Sequence, residues 1–189
     1  MVFFRHRTDI SQTGDRSDPQ SFQCRENLLL NISLRAETEV DIPFLRTLYI
    51  SMRWDELAIL IDWSDEQKVA FLESQFDYQR RHYRNAYWDA EFNVVQLDGQ
   101  DVGRLYLHRG IKDLRIVDVG VLPAFRNQGV GTQLLKGVLA EGDATDKTVS
   151  IHVEVFNPAQ HLYRRLGFRD VHQDGPYIYM IRNLRGQEE

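Results

Sequence analysis

Residues 118–131 combine residue types that could hold an anion. An apolar, strand-like run ends at Pro123, and the sequence Arg-Asn-Gln-Gly-Val-Gly over residues 126–131 follows it. Leu134 and Leu135 then open a run with helical spacing. The first N–H groups of a helix have no partner inside the helix and lie at the positive end of its dipole. Glycines let a ligand approach the backbone closely. The pattern predicts a phosphate-binding loop at a helix N-terminus.

Two nucleotide-binding motifs are alternative interpretations of this loop. A P-loop requires Lys and then Ser or Thr after its last glycine, but Thr132 and Gln133 follow Gly131, which excludes that motif. A dinucleotide fingerprint requires a third glycine where Leu134 stands. Glu154, on the next predicted strand, resembles the acid that binds ribose in that fingerprint, so the dinucleotide alternative stays open at this point.

Hydrophobic periodicity predicts the elements that would position the loop. The patterns predict a mixed α/β (α+β) domain with a mixed sheet of about seven strands and four helices. Hairpins come early and late in the chain, and crossovers lie in the middle. The predicted strands are 31–36, 92–97, 102–108, 113–122, 149–156, a strand from 168 and 177–181. The predicted helices begin after Thr38, at Ser64, after Gly131 and at Asn157-Pro158, and the last two end near Gly142 and Gly167.

Composition limits the class of protein. Residues 28–189 are expected to form one domain, and residues 1–27, poor in aliphatic side chains, a mobile tail; an extra strand on residues 2–4 is the alternative. A net charge of −5 argues against nucleic-acid binding through a basic surface. The single cysteine, Cys24, permits no intrachain disulfide. No apolar run approaches the roughly 18 residues that span a bilayer. We expect a cytoplasmic protein without a membrane or a metal partner.

Two sequence blocks resemble the GCN5-related N-acetyltransferase (GNAT) superfamily. Residues 126–131 match its R/Q-x-x-G-x-G/A motif, and the predicted strand before them matches the strand that precedes it there. The second block is the strand ending in residues 152–156, followed by Asn157 and by Leu-Tyr-Arg-Arg-Leu-Gly-Phe over residues 162–168. The resemblance extends over about residues 32–183. One departure is that Asn157 and Tyr163 are six positions apart where the family commonly has seven, which weakens the role of Asn157.

The resemblance implies a GNAT-like sheet whose central strands splay apart to hold acyl-CoA. The loop would bind the pyrophosphate, and backbone groups of the preceding strand would lie along the pantetheine arm. The residues that the resemblance assigns to cofactor binding are Val119, Val121, Arg126, Asn127, Gln128, Gly129, Val130, Gly131, Thr132 and Asn157. For the two valines the contribution would come from the backbone, since their side chains are expected to be core.

The resemblance also implies catalytic roles. Tyr163 matches the position of the acid that protonates the leaving thiolate; an ordinary core tyrosine is the alternative. Glu154 matches a base position used by some members, and Asp118 is a second candidate base, while a water relay would serve as well. Polar residues on neighbouring strands would form either an ion-pair network with these carboxylates or the floor of the site. These residues are Arg104, Tyr106, His108 and His152.

The implied activity is an acyl-CoA-dependent N-acyltransferase, in particular an acetyltransferase that moves acetyl from acetyl-CoA directly to a primary amine. The alternative is a non-catalytic CoA-binding or interaction module with the same fold. The acceptor, a small molecule or a protein amine, would contact residues 48–64, 80–90 and 172–178, and a homodimer stays open. The acidic and aromatic residues in these ranges are Tyr49, Trp54, Asp55, Glu56, Asp62, Trp63, Tyr87 and Trp88.

One basic cluster is left without an assigned function. Arg80, Arg81 and Arg84 lie near the C-terminal end of the second predicted helix. The helix dipole alone favours cations there. Contact with an anionic ligand is the other interpretation.

Overall fold

A single seven-stranded sheet lies at the centre of the computed structural model, which describes residues 30–183. The strands are β1 (Ile32–Ala36), β2 (Glu91–Leu97), β3 (Gln100–Arg109), β4 (Asp113–Val121), β5 (Thr148–Glu154), β6 (Arg169–Asp174) and β7 (Tyr177–Arg182). Their order is β1-β2-β3-β4-β5-β7-β6. Every neighbouring pair is antiparallel except β4 and β5, which are parallel. The predicted tail over residues 1–27, with its alternative strand, lies outside the described residues.

Four α-helices accompany the sheet in the described range, as predicted. They are α1 (Ile42–Arg53), α2 (Asp65–Ala86), α3 (Val130–Ala144) and α4 (Gln160–Arg165). Short 3₁₀ segments precede and follow α1. Ser64 caps α2 by accepting the N–H of Gln67, whose side chain accepts the N–H of Ser64 in return. The mixed sheet of seven strands with four helices is confirmed.

Two predicted boundaries after β5 were wrong. The strand ends at Glu154 and not at Phe156, whose side chain is 96% exposed in the following turn. The helix begins at Gln160 and not directly after Asn157. The N–H groups of Gln160 and His161 bond to carbonyls three residues back, at Asn157 and Pro158. The chain therefore makes a tighter, 3₁₀-like turn before the α-helix starts.

The helices cover opposite faces of the sheet. Adjacent β2 residues point to different sides: Val94 packs with α1 and α2, and Val95 packs with α3. On β5, Val149, Ile151 and Val153 all face the larger core beneath α3 and α4. Glu154 and its alternate neighbours therefore face the side that carries α1 and α2.

A bulge in β4 changes which residues face the core. Tyr106 of β3 pairs with Asp118, but the next residue, Leu107, pairs with Ile116, so Val117 is an extra residue in β4. Before the bulge the even-numbered Ile116 faces the larger core. After the bulge the odd-numbered Val119 faces it instead. The bulge thereby turns Asp118 toward the α1–α2 side of the sheet.

Beyond the bulge, β4 and β5 separate. Their pairing covers only Asp113–Ile116 and Thr148–Ile151, although β4 continues to Val121 and β5 to Glu154. The last five residues of β4 therefore have no strand partner on the β5 side. We call this opening, between residues 117–121 and 152–154, the β4–β5 gap. The splay of the central strands matches the predicted fold.

Candidate active site

The loop before α3 presents a row of unpaired backbone donors. The N–H groups of Gln128 to Thr132 have no hydrogen-bond acceptor in the described part of the chain, and the first bond of the helix is donated by Gln133 to Gly129. Two residues of the loop, Asn127 and Gly129, have positive φ values of 60° and 93°. This backbone turns consecutive N–H groups toward one side, which makes a concave site for an anion. We call residues 126–132 the anion cradle.

Side chains of the cradle hold the loop itself. The Nε of Arg126 donates to the carbonyl of Val121 at 3.1 Å, and the amide of Gln128 donates to the carbonyl of Ala124 at 2.7 Å. The amide of Gln133 both donates to and accepts from the backbone of Leu30, at 2.7 and 3.0 Å. These bonds rigidify the loop, so the groups that are free to bind a ligand are the backbone N–H groups.

The predicted cofactor-binding residues gather around the β4–β5 gap. Val119 and Val121 lie in the part of β4 that has left β5, and their side chains pack against the larger core. Gly131 at the start of α3 lies beside α4: a Cβ added there would be 3.7 Å from Leu162. Asn157 uses its side-chain oxygen locally, accepting the N–H of Ala159 at 2.9 Å. The cradle follows shortly after the free end of β4, and Asn157 shapes the turn that follows β5.

Tyr163 has a buried ring and a hydroxyl with no hydrogen-bond partner in the described part of the chain. The ring packs edge-on against Phe168 with centroids 5.8 Å apart. Burial, and then the negative charge of Asp118, raise the pKa of this phenol above its ordinary value. A neutral phenol there is a proton donor throughout the neutral pH range.

Asp118 is bound by a buried arginine. Its side chain, 11% exposed, accepts a hydrogen bond from Arg104 at 2.5 Å, and Arg104 is 2% exposed. Burial by itself lowers the pKa of Arg104, but Asp118 and nearby phenols more than offset this, so the pKa is raised. Burial and the charge of Asp118 also raise the pKa of Tyr83 on α2. Asp118 is therefore already held by a buried charge partner.

Glu154 is the more accessible of the two candidate bases. Its side chain is 26% exposed and lies 2.6 Å from Nη1 of Arg53, the last residue of α1. Arg53 divides its charge, because Glu56 also contacts it at 3.0 Å. The backbone carbonyl of Glu154 accepts a hydrogen bond of 2.8 Å from the buried side chain of Gln160. Arg53 and Gln160 are absent from the sequence-based set, since neither lies in a recognisable motif.

The neighbouring polar residues divide between structural and exposed positions. The Tyr106 hydroxyl donates to Glu37 at 2.5 Å, while His108 lies 3.4 Å from Asp89. The ring of His152, an exposed residue, lies 4.9 Å from that of Tyr179. Of the four polar strand residues considered, only Arg104 contacts a candidate base. The ion-pair interpretation therefore fits Arg104 and Asp118.

The predicted acceptor region contains both core and surface residues. Tyr49 is a core residue, with its ring 5.8 Å from that of Phe76. Trp63 packs edge-on against Phe71 at 5.6 Å, and Trp88 is exposed. Acidic side chains stay at the surface there, namely Asp55, Glu56 and Asp62.

Two further findings concern residues 30–183 only. They contain no cluster of three or more His, Cys, Asp or Glu side chains arranged to hold a metal ion. None of their helices is both long enough and apolar enough to cross a membrane.

Comparison with known proteins agrees with this geometry. Residues 88–170 match the family model described as the acetyltransferase (GNAT) domain. An N-alpha-acetyltransferase of Sulfurisphaera tokodaii is 27% identical over 115 residues, which are 50% of this chain and 69% of that protein.

Solved structures share the fold at low sequence identity. The PaiA N-acetyltransferase of Thermoplasma acidophilum, in complex with coenzyme A, has 16% identity and a TM-score of 0.61, covering 82% of this chain and 99% of that one. A GNAT family acetyltransferase of Elizabethkingia anophelis, with acetyl-CoA bound, has 20% identity and a TM-score of 0.52, with 82% and 99% covered. The sequence blocks and the splayed sheet agree with these matches: residues 88–170 match the GNAT acetyltransferase domain, and the described chain has the fold of GNAT acetyltransferases.

Proposed function

We propose that this N-acetyltransferase takes acetyl from acetyl-CoA and passes it directly to a primary amine at the β4–β5 gap. The observation that carries the proposal is the row of unpaired N–H groups from Gln128 to Thr132, which opens beside that gap. These donors would bind the pyrophosphate, and backbone groups of β4 beyond Ile116 would pair with the strand-like pantetheine arm. The solved relatives that contain coenzyme A or acetyl-CoA support this choice of donor.

The reaction requires charge stabilisation and two proton movements. Acetyl-CoA supplies an activated thioester: a C–N bond forms to the amine, the C–S bond breaks, and CoA leaves as a thiolate. Backbone N–H groups of β4 at the gap would stabilise the negative charge that develops on the carbonyl oxygen. Tyr163 would donate its phenolic proton to the thiolate. Because the pKa of Tyr163 is raised, the phenol keeps its proton while the thioester is intact. The thiolate that forms when the C–S bond breaks is a stronger base and can accept that proton.

A base must remove the extra proton from the attacking amine. We propose Glu154 for this role, because it reaches solvent and shares Arg53 with Glu56. Asp118 is less suited because a buried guanidinium already holds it. Proton transfer through a water molecule would use the same carboxylate. The only cysteine, Cys24, is distant in sequence from both motifs, which favours direct transfer over an acyl-cysteine carrier.

The acceptor is proposed only as a class, an amine on a small molecule or a protein. The Sulfurisphaera tokodaii relative is named an N-alpha-acetyltransferase, so peptide α-amines belong in the first screen beside small amines. The net charge of −5 supports a protein that does not bind nucleic acid. A cytoplasmic location and a homodimer are part of the same proposal.

Thermal unfolding with coenzyme A tests the donor site. At 100 times its Kd, CoA should stabilise the fold by about 2.7 kcal/mol, which is roughly 5–10 °C for a chain of this size. Adenosine, which lacks the pyrophosphate, should give little shift. An unchanged melting temperature with excess CoA would reject the proposal. If CoA binds, release of free thiol from acetyl-CoA in the presence of candidate amines decides between an enzyme and a binding module.

A matched pair of glycine variants tests where the acyl donor binds. Gly129 and Gly99 both have positive φ, 93° and 80°, so an alanine is strained at either position. Gly129 lies in the cradle, whereas Gly99 lies in the β2–β3 turn with no atoms near a new Cβ. Gly129→Ala should reduce the CoA-induced shift, and Gly99→Ala should leave that shift intact. Equal shifts in the two variants would exclude the cradle as the pyrophosphate site.

A further inference from the structure

A basic groove lies between α1 and α2, built from elements other than the cradle and the gap. It offers about 380 Å³ of space that is open to solvent. Four arginines line it, and three carboxylates contact them: Asp77 in the lining, and Glu37 and Glu39 beside it, which leaves a local excess of one positive charge. The lining residues are Ile42, Arg46, Asp77, Arg80, Arg81, Arg84 and Asn85.

The guanidinium groups of this groove have more donors than acceptors. Each carries five N–H donors. Arg46 donates to Asp77 at 2.9 Å, and Arg81 has no ion pair or hydrogen bond in the described part of the chain. The Nε atoms of Arg46 and Arg80 are buried without a hydrogen-bond partner there. Buried donors without acceptors are costly and uncommon in folded proteins. An anion that contacts these side chains would supply the missing acceptors.

Two of the arginines are held in position beforehand. The carboxylate of Glu37, 1% exposed, lies 2.8 Å from Arg84 and 3.3 Å from Arg80. The guanidinium of Arg84 also stacks over the ring of Phe92, 4.0 Å from its centroid. Fixed, planar guanidinium groups are suited to phosphate and carboxylate oxygens because they offer paired donors at a fixed spacing. Binding therefore requires little side-chain ordering.

We infer that this groove is a second anion-binding site, for a small ligand that carries phosphate or carboxylate groups. Arg81, which has no carboxylate partner among the described residues, supplies the one positive charge in excess. The inference does not depend on the proposed acetyl transfer, because no residue of the groove belongs to the cradle, the gap or the candidate acid and bases.

A chain of contacts connects the groove to Asp118. Glu37, which holds Arg80 and Arg84, also accepts the hydroxyl hydrogen bond of Tyr106 at 2.5 Å. The guanidinium of Arg104 lies 5.2 Å from the centre of the Tyr106 ring and binds Asp118 on its other side. An anion in the groove competes with Glu37 for the same two arginines. Anion binding is therefore expected to alter the contacts that run from Glu37 through Tyr106 to Asp118.

Nuclear magnetic resonance of arginine Nε–H groups tests the site directly. The protein is first saturated with coenzyme A, so that the cradle is occupied. Inorganic pyrophosphate and citrate are then titrated separately at constant ionic strength, with sodium chloride as the reference. We expect saturable shifts of the Nε–H signals of Arg46 and Arg80 with one or both probes. Response to one probe alone assigns the site to phosphate or to carboxylate. No saturable shift with either would overturn the inference.

A charge-matched pair of variants makes the test specific. Arg81→Gln removes a guanidinium that lines the groove and has no structural partner in the described residues. Arg165→Gln removes the same charge from an exposed position at the end of α4, outside the groove. Loss of one charged contact should weaken probe binding about fivefold or more in Arg81→Gln. Equal weakening in both variants would show only a general charge effect and would refute a defined site.

Discussion

Tyr163 combines a buried ring with a hydroxyl that no described residue binds. A structural tyrosine at this depth usually has a partner for its hydroxyl, whereas a proton donor must keep it available for the substrate. The burial that raises its pKa also ensures that the phenol is protonated at neutral pH. These features favour the acid over the core-residue interpretation, although both require a buried ring.

Replacement of Tyr163 by phenylalanine should lower kcat by about 10²–10⁴-fold, the usual contribution of a general acid. The ring contact with Phe168 is kept, so CoA binding and thermal stability should change little. Steady-state kinetics with acetyl-CoA and an identified amine, together with CoA thermal shifts, measure both effects. Tyr78→Phe, at an exposed position on α2, serves as the control. An unchanged kcat in Tyr163→Phe would remove the acid role.

Substitution of the two candidate bases should have different effects on the free energy of unfolding as well as on kcat. Asp118→Asn would leave the buried Arg104 without its counter-charge, which costs about 3–5 kcal/mol in comparable pairs. Glu154→Gln breaks a partly exposed pair and should cost about 1 kcal/mol or less. Urea unfolding measures these losses. If Glu154 is the base, Glu154→Gln should lose most of kcat while staying folded; near-wild-type turnover would transfer the role to Asp118 or to water.

Sequence reasoning identified the candidates at this scale but not their partners. Gly129, Gly131 and Tyr163 lie in local motifs, so their spacing alone was informative. Arg53 and Glu154 are about a hundred positions apart, and only the packing of α1 against the sheet brings them together. Arg104 was considered as a partner because strand alternation puts it on a polar face. No comparable pattern pointed to Arg53.

At the scale of elements, the junction between β1 and α1 depends on one buried carboxylate. Asp41 receives two hydrogen bonds from Arg35, at 2.7 and 2.8 Å, and another from the backbone N–H of Thr38. Arg35 first, and then the Thr38 donors, hold the pKa of Asp41 well below its ordinary range, against the opposing effect of burial. The carboxylate therefore fixes the turn that leads into the first helix.

This junction should make stability depend on pH in acid. Because the folded pKa of Asp41 is depressed, its contribution is complete above the unfolded value of about 3.9 and is lost as pH falls below that. Asp41→Asn should cost about 1.5–3 kcal/mol at pH 7, and the difference from wild type should shrink below about pH 4. Urea unfolding across this range measures it, with the exposed Asp55→Asn as control. A pH-independent difference would contradict the assignment.

Element boundaries were predictable where local chemistry decides them. The capping pair Ser64 and Gln67 marked the start of α2 correctly. At Asn157-Pro158 the same reasoning placed α4 too early, because the residues after the cap first form three-residue turns. The bulge at Val117 has no sequence signal comparable to a glycine or a proline. It became visible only through the pairing of β3 with β4.

At the scale of the whole molecule, the sheet consists of two parts that are joined by only four residue pairs, from Asp113–Thr148 to Ile116–Ile151. Strands β1 to β4 form one part, and β5 to β7 the other. The number of elements and their mixed character followed from periodicity. The strand order, with β7 between β5 and β6, did not, because nothing local to a strand specifies its neighbour.

A pantetheine arm in the gap would pair with backbone that the sheet leaves free, so CoA should change hydrogen exchange there. Without ligand, the amides of residues 117–121 should exchange faster as a group than those of Leu114–Ile116, which lie in paired sheet on both sides. Saturating CoA should slow exchange in residues 117–121 and in 128–132. Exchange measured by mass spectrometry tests this, with β2 as an internal reference. Unchanged protection at both segments would exclude binding in the gap.

One contact at the gap suggests sensitivity to oxidants. Gly120 of β4 lies so close to Met52 of α1 that an added Cβ would be 2.4 Å from its sulfur. Oxidation to the sulfoxide would add a polar oxygen at this close contact, and should weaken the packing of α1, with Arg53 at its end, against the sheet. Peroxide should therefore slow the wild-type enzyme reversibly, since reductases restore methionine, and Met52→Leu should resist it. Equal sensitivity of the two proteins would show that the damage lies elsewhere.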